Sequence, residues 1–225
     1  MSTRPTALVT GASRGVGAAT ARALAATHDV LLGGRDADAL AALAAELPGA
    51  TAWPVELTAV TAADVATISS LDVLVHSAGV ARLGTLAEST AQQWRETLEV
   101  NVVAVAELTR LLLPALRAVG GHVVLVNSGA GITANAGWGS YAASKFALRA
   151  LADALRAEET GLRVTSVHPG RVDTDMQRAV VAHEGGAYDG SRFLTADSVA
   201  AAVLAAVLAG PDAHLTELVL RPTGR

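Results

Sequence analysis

Three side chains able to hold or move a proton stand close together in the second half of this 225-residue chain. Ser128 ends the run "VVLVNS", Tyr141 follows thirteen residues later, and Lys145 comes four residues after that in "SYAASK". Lys145 is the only lysine; the other sixteen strongly basic side chains are arginine. On a helix, a spacing of four puts Tyr141 and Lys145 on one face. A free phenol titrates near ~10 and is a poor base at neutral pH. A nearby ammonium favours the phenolate, and bringing the tyrosine close to neutrality takes roughly 3–4 kcal/mol of preferential phenolate stabilisation. Such a tyrosine exchanges a proton with a substrate hydroxyl or carbonyl. Lysine suits the supporting position better than arginine, because it is compact and can itself exchange a proton. The Ser128 hydroxyl is suited to donate to a carbonyl oxygen and hold it against Tyr141.

These residues need a frame, and the chain offers strand then helix, repeatedly. Apolar runs at 6–10, 29–34, 50–55 and 71–75, then "GHVVLVNS", "LRVTSVHPG" and "TELVLRP", read as strands. Between them lie helical stretches: "GVGAATARALAAT", 36–47 with Asp36 or Asp38 as cap, a short "TAADVATISS", a long one over 91–118 bent at Pro114, "SYAASKFALRALADALRAEE", and "TADSVAAAVLAAVLAG". The abundant alanines fall at helical spacing and imply close helix packing. The alternation predicts an α/β fold: one Rossmann-like, doubly wound parallel sheet of about seven strands with helices on both faces, spanning 1–225 as a single domain. Ligands in such sheets bind beyond the carboxyl ends of the strands, here just after Val9, Leu32, Val55, Val75, Val126 and Val167.

After the first strand comes "TGASRGVG". Gly11, Gly15 and Gly17 between a strand and a helix allow a tight turn and close backbone approach to a pyrophosphate, and the helix N-terminus supplies free N–H groups. Arg14 lies in this turn and Arg35 ends the second strand in "GGRD", where dinucleotide folds meet the adenosine ribose. A guanidinium grips a phosphate through a forked pair of donors. Two arginines converging on one ribose predict NADP(H) in preference to NAD(H).

In the spacing of "TGASRGVG", and in a serine thirteen residues ahead of Tyr-x-x-x-Lys, the chain resembles the short-chain dehydrogenase/reductase family. The resemblance runs over nearly the whole chain. It implies that the first turn (Gly11, Ser13, Arg14, Gly15, Val16, Gly17) cradles a nicotinamide dinucleotide. It implies that Glu56 and the Leu57 backbone meet the adenine, where the family has an aspartate. "HSAG" is similar to the family's Asn-Asn-Ala-Gly, so His76, Ser77, Ala78 and Gly79 are expected along the cofactor channel, with His76 bracing the loop. "HPGRVDT" resembles Pro-Gly-x-Val-x-Thr, placing Pro169, Gly170, Val172 and Thr174 by the nicotinamide and leaving His168 structural. By the same resemblance Ser128, Tyr141 and Lys145 are catalytic, Tyr141 and Lys145 also touch the cofactor, and Asn101 completes a proton relay through its backbone carbonyl. Asparagine amid "VNVV" is a modest helix former, which suggests a local distortion there.

Other chemistry has little footing. With no cysteine, disulfides and thiolate sites are excluded. There is no His-Glu-x-x-His, and no metal is expected. Ser128 lacks the flanking glycines of a hydrolase elbow, and Ala142 stands where a serine–lysine motif needs serine. The net charge of −4 without a basic block argues against nucleic acid. No apolar run reaches membrane-spanning length and the start lacks a long apolar targeting core, so a cytoplasmic location is expected. The reading is an NADP(H)-dependent oxidoreductase of a small carbonyl or secondary alcohol; the alternative is a catalytically silent nucleotide-binding protein of the same fold. The substrate is expected among Trp138, 81–83 and a lid at 175–195. The resemblance implies a homodimer or homotetramer through 91–118 and 140–159.

Overall fold

Strands that read as unbroken apolar runs must be covered on both faces. The computed structural model describes residues 4–223, and its inner strands meet that requirement, whereas the two edge strands at 50–54 and 217–220 are partly exposed. β1 (Thr6–Thr10), β2 (Asp29–Gly34), β3 (Ala50–Pro54), β4 (Val73–His76), β5 (His122–Val126), β6 (Arg163–Pro169) and β7 (Glu217–Leu220) form one parallel sheet in the order β3-β2-β1-β4-β5-β6-β7. The helices are α1 (Gly15–Ala25), α2 (Ala37–Glu46), α3 (Ala62–Val65), α4 (Ala91–Leu98), α5 (Ala104–Arg117), α6 (Gly139–Glu158), α7 (Asp175–His183) and α8 (Ala196–Val207).

The strand period of two divides the core. Ala7, Val9, Val73, Val75, Val124 and Val126 pack with Ala21 and Leu24 of α1, Leu40 and Leu43 of α2, and Val199 and Val203 of α8. Leu8, Leu74, Val123 and Leu125 face the other way, onto Leu108 and Leu112 of α5 and Leu148 and Ala152 of α6. The small side chains of α1 let α8 approach it closely, as the alanine spacing implied.

Two details refine the helices. Asp36, not Asp38, caps α2, its carboxylate accepting from the Ala39 N–H at 3.0 Å. The stretch 91–118 is interrupted at Glu99–Val103, where a π turn joins α4 to α5. The helix runs on past Pro114, which has no N–H to donate, to Arg117. The irregularity thus falls at Asn101, where a π turn is a frequent mark of a functional site.

The strand order reverses direction between β1 and β4. A crevice opens at such a switch point, beyond the carboxyl ends of the strands. Here it receives the turn after β1 and the loop after β4, and it is where the sequence analysis sought the chemistry.

Candidate active site

β5 delivers Ser128 and α6 delivers Tyr141 and Lys145 to one cleft of about 1710 Å³, which all three line. Asn127 fastens the two elements together. Its Nδ2 donates to the Lys145 carbonyl at 3.1 Å, and its Oδ1 accepts from the Ser128 N–H at 2.8 Å. The approach is close enough to demand glycine at 131: a Cβ there would stand 2.5 Å from Asn127 Oδ1 and 2.8 Å from the Lys145 carbonyl oxygen. His168 is fully buried and does not line the cleft, and its ring Nδ1 lies 3.2 Å from the Ser128 carbonyl oxygen.

Tyr141 and Lys145 are both buried, and the Lys145 Nζ lies 5.8 Å from the Tyr141 ring centroid. The ammonium donates to the Val126 carbonyl at 3.1 Å. Burial pushes the Lys145 pKa down from 10.5 to about 8. Burial also raises the Tyr141 pKa above 10.0, and the Ser128 hydroxyl opposes that rise. Burial sets the direction of that shift, and the Lys145 ammonium is turned to a backbone carbonyl.

Asn101 does not line the cleft. Its side chain is buried and doubly bonded to the Val80 backbone, accepting from its N–H at 2.8 Å and donating to its carbonyl at 2.9 Å. It also donates to Ser144 Oγ at 2.9 Å, and Ser144 in turn donates to the Tyr141 carbonyl at 2.7 Å. The π turn is thereby tied to the first turn of α6 and to the loop after β4.

On the other side of the cleft, Gly11 (φ +67°) and Gly15 (φ +56°) adopt the left-handed backbone that favours glycine. A Cβ on Gly11 would stand 2.8 Å from Ala78 Cα, and one on Gly17 would stand 2.1 Å from the Gly11 carbonyl oxygen. The turn after β1 is thus pressed against the loop after β4 and the start of α1, and the bare backbone faces the cleft. Ser13, Arg14, Val16, Ser77, Ala78 and Gly79 line it as well. So do Pro169, Gly170, Val172 and Thr174. The cradle fits the pyrophosphate of a nicotinamide dinucleotide, with the α1 N-terminus at its floor.

Arg35, Glu56 and Leu57 line the far end with Arg14. Arg35 Nη1 lies 3.7 Å from Glu56 Oε2, both side chains being well exposed. Burial pushes the Glu56 carboxyl up, but the N–H and hydroxyl of Thr58, and then Arg35, outweigh it and hold it below the ordinary value.

His76, expected along the channel, also stands off the cleft. It is the last residue of β4, buried, and does not line the cleft. Its Nε2 lies 2.9 Å from the Thr109 hydroxyl of α5, and burial depresses its pKa to about 3. The loop is braced instead by Thr10, which the sequence reading passed over. The Thr10 hydroxyl accepts from the Ser77 and Ala78 N–H groups at 3.1 and 3.2 Å. Asn127 was passed over too. Its signal was position alone: a polar residue at the carboxyl end of an apolar strand, next to Ser128.

The remaining walls carry Ala81, Arg82, Leu83, Trp138, Met176 and His183. The segment after β6 is α7 followed by a tied loop rather than an open strap. Asp173 accepts from the Tyr188 hydroxyl and pairs with Arg178 at 3.3 Å, and the Arg178 guanidinium lies 4.4 Å from the centre of the Tyr188 ring. No helix among the described residues is long and apolar enough to cross a membrane.

The sequence profile described as short chain dehydrogenase matches residues 5–185. The chain is 33% identical over 96% of its length to a glycine betaine reductase of Emericella nidulans, but spans only 18% of that longer protein. It is 42% identical to an uncharacterized NAD-dependent oxidoreductase of Mycobacterium tuberculosis over 54% of this chain and 46% of that one. Among solved structures, an alcohol dehydrogenase from Thermococcus sibiricus complexed with 5-hydroxy-NADP superposes with a TM-score of 0.88 at 27% identity, covering 98% of this chain and 97% of that one.

Proposed function

The chain belongs to the short-chain dehydrogenase family, and from that premise we propose that this nicotinamide-dependent oxidoreductase interconverts a small carbonyl compound and its secondary alcohol, using NADP(H) in preference to NAD(H). The observation that carries the reading is the convergence of Ser128, Tyr141 and Lys145 on the cleft beside the glycine cradle. When bound, the cofactor supplies or accepts the hydride. Ser128 donates a hydrogen bond to the substrate oxygen and fixes it against Tyr141. Tyr141, whose phenol stays protonated at neutral pH, delivers its proton to that oxygen in the reductive direction and takes it back in the oxidative one. Lys145, with a pKa near the physiological range, is suited to resupply that proton and to anchor the ribose. Asn101 holds the π turn and α6 in register for that relay.

The NADP(H) preference rests on Arg14 and Arg35 at the ribose end; Arg14 has no ion pair among the described residues, and Arg35 has only a long one. The segment 175–195 is the lid over the substrate in this proposal, α7 lining the cleft through Met176 and His183. The protein is cytoplasmic and a homodimer or homotetramer in the same reading. The exposure of Val103 (49%) and Phe146 (42%), on the two helical segments expected to pair, supports assembly.

The test is a turnover screen with NADPH and NADH over ketones, aldehydes and quinones, beside cofactor titration. Oxidation of NADPH by at least one carbonyl class is expected. Tight cofactor binding with no turnover across the panel would favour a silent nucleotide-binding protein instead.

A further inference from the structure

On the Ser128 side of the cleft the charged groups are unequally engaged. Arg171 is held by Glu184, with Nη1 donating to Oε2 at 2.8 Å, and Arg82 faces Glu96 at 4.0 Å. Arg221, the exposed residue after β7, has no carboxylate partner among the described residues, yet one end of its guanidinium is held by backbone. Its Nη1 donates to the His168 carbonyl at 3.2 Å and to the Leu220 carbonyl at 2.9 Å. A Cβ built on Gly129 would stand 3.4 Å from Nη1, 3.4 Å from Nη2 and 3.5 Å from Cζ. Near-equal distances mean that the guanidinium lies flat over Gly129, the neighbour of Ser128. Its Nη1 protons are taken by the two carbonyls, while Nε and Nη2 form a side-on fork that no other described group fills. A fork of this kind matches the two oxygens of a carboxylate.

We propose that Arg221 receives an anionic group of the substrate, so that the preferred carbonyl compounds are keto acids or their hydroxy acid counterparts. The assignment rests on the reading of Ser128 and Tyr141 as the carbonyl site, because it places the anion beside that site. Backbone anchoring removes much of the conformational freedom an arginine otherwise loses on binding. The seat on Gly129 places the fork beside the residue next to Ser128. Arg221 would thus select substrate by charge and by the number of bonds between carbonyl and carboxylate.

The test compares pyruvate and levulinate, each beside its methyl ester. Dissociation constants come from calorimetry on the full chain saturated with NADP+, and turnover is followed with NADPH. In the wild type at least one acid should bind about tenfold or more tighter than its ester, the scale of a charge-assisted fork. In Arg221→Gln that ratio should fall toward one. Arg221→Lys, which keeps the charge but not the fork, should retain only part of it. Should the glutamine variant fail to fold, the lysine variant and the decline of the wild-type ratio with added salt carry the test. An acid-to-ester ratio that is the same in wild type and variants, or no binding of either acid, overturns the proposal. Acids that bind through Arg221 without being reduced would leave this assignment standing and defeat the proposed reaction. Equal reduction of acids and esters by all variants would do the reverse.

Discussion

The Lys145 ammonium donates to the backbone carbonyl of Val126 at 3.1 Å, so the chain's only lysine is tethered to the strand that presents Ser128. Its side chain is buried, and a single neutral carbonyl is weak compensation for a desolvated charge. The drop from 10.5 to about 8 corresponds to roughly 3 kcal/mol against the charged form. The site therefore holds a group that weakens the fold, as functional sites often do.

Lys145→Met should make the protein more stable at pH 7 and less active. In the wild type the folded lysine titrates below the unfolded one, so the unfolded chain binds more protons between about pH 8 and pH 10.5. The wild type consequently gains stability as pH rises through that window, and below it the full penalty applies. Thermal melts of both proteins from pH 7 to 10 should show the variant ahead at pH 7 and the gap closing with pH. A methionine variant that melts lower than the wild type at pH 7 would show that the ammonium stabilises the fold.

Tyr141→Phe should abolish turnover, a loss of at least about a hundredfold by the usual scale of general acid catalysis, while cofactor affinity changes little. The ring still packs edge-on against Trp138 at 5.8 Å between centroids, so the fold should hold. Ser128→Ala should cost less, since it removes orientation and one donor. Steady-state kinetics and NADPH titration check both, and a phenylalanine variant turning over within a few-fold of the wild type would remove Tyr141 from the chemistry.

What could be read in the sequence was whatever repeats or sits at an element's end. The alternation of apolar runs disclosed the sheet and its two covered faces, and the position of Ser128 after β5 and of Gly11 after β1 placed them at the crevice. The helix spacing of Tyr141 and Lys145 put them on one face. Direction within a loop was not readable. His76 was expected along the channel because "HSAG" resembles the family's Asn-Asn-Ala-Gly, but the strand runs one residue further and its period turns the ring onto Thr109. The burial of Tyr141 was not readable either, because charge proximity is visible in spacing whereas burial depends on what the rest of the chain brings over it.

Arg35→Asp should erase most of the preference for NADPH over NADH. Removing a charge-assisted contact and placing a carboxylate near the 2′-phosphate changes the relative affinity by about 1–3 kcal/mol, or roughly five- to 150-fold. Dissociation constants for both cofactors, measured on wild type and variant, give the ratio directly. Equal constants in the wild type would refute the assignment of Arg14 and Arg35 to the phosphate.

His76→Gln should make the protein less sensitive to acid. His76 is neutral in the fold, with its pKa depressed by burial from 6.5 to about 3. The unfolded chain binds the extra proton between those values, so the stability this residue contributes is fully present above pH 6.5 and is lost as pH falls toward 3. At pH 4 that loss is roughly 3 kcal/mol. His122 is depressed to about 3 by burial as well and adds a second, independent loss. Glutamine can still bond the Thr109 hydroxyl but takes up no proton. Denaturant melts at pH 7 and pH 4 should therefore show a smaller drop in the variant than in the wild type, even if the variant starts lower at pH 7 through imperfect packing. An identical drop in both proteins would mean that the His76 ring is reached by water and titrates as in the unfolded chain, against its burial beside α5.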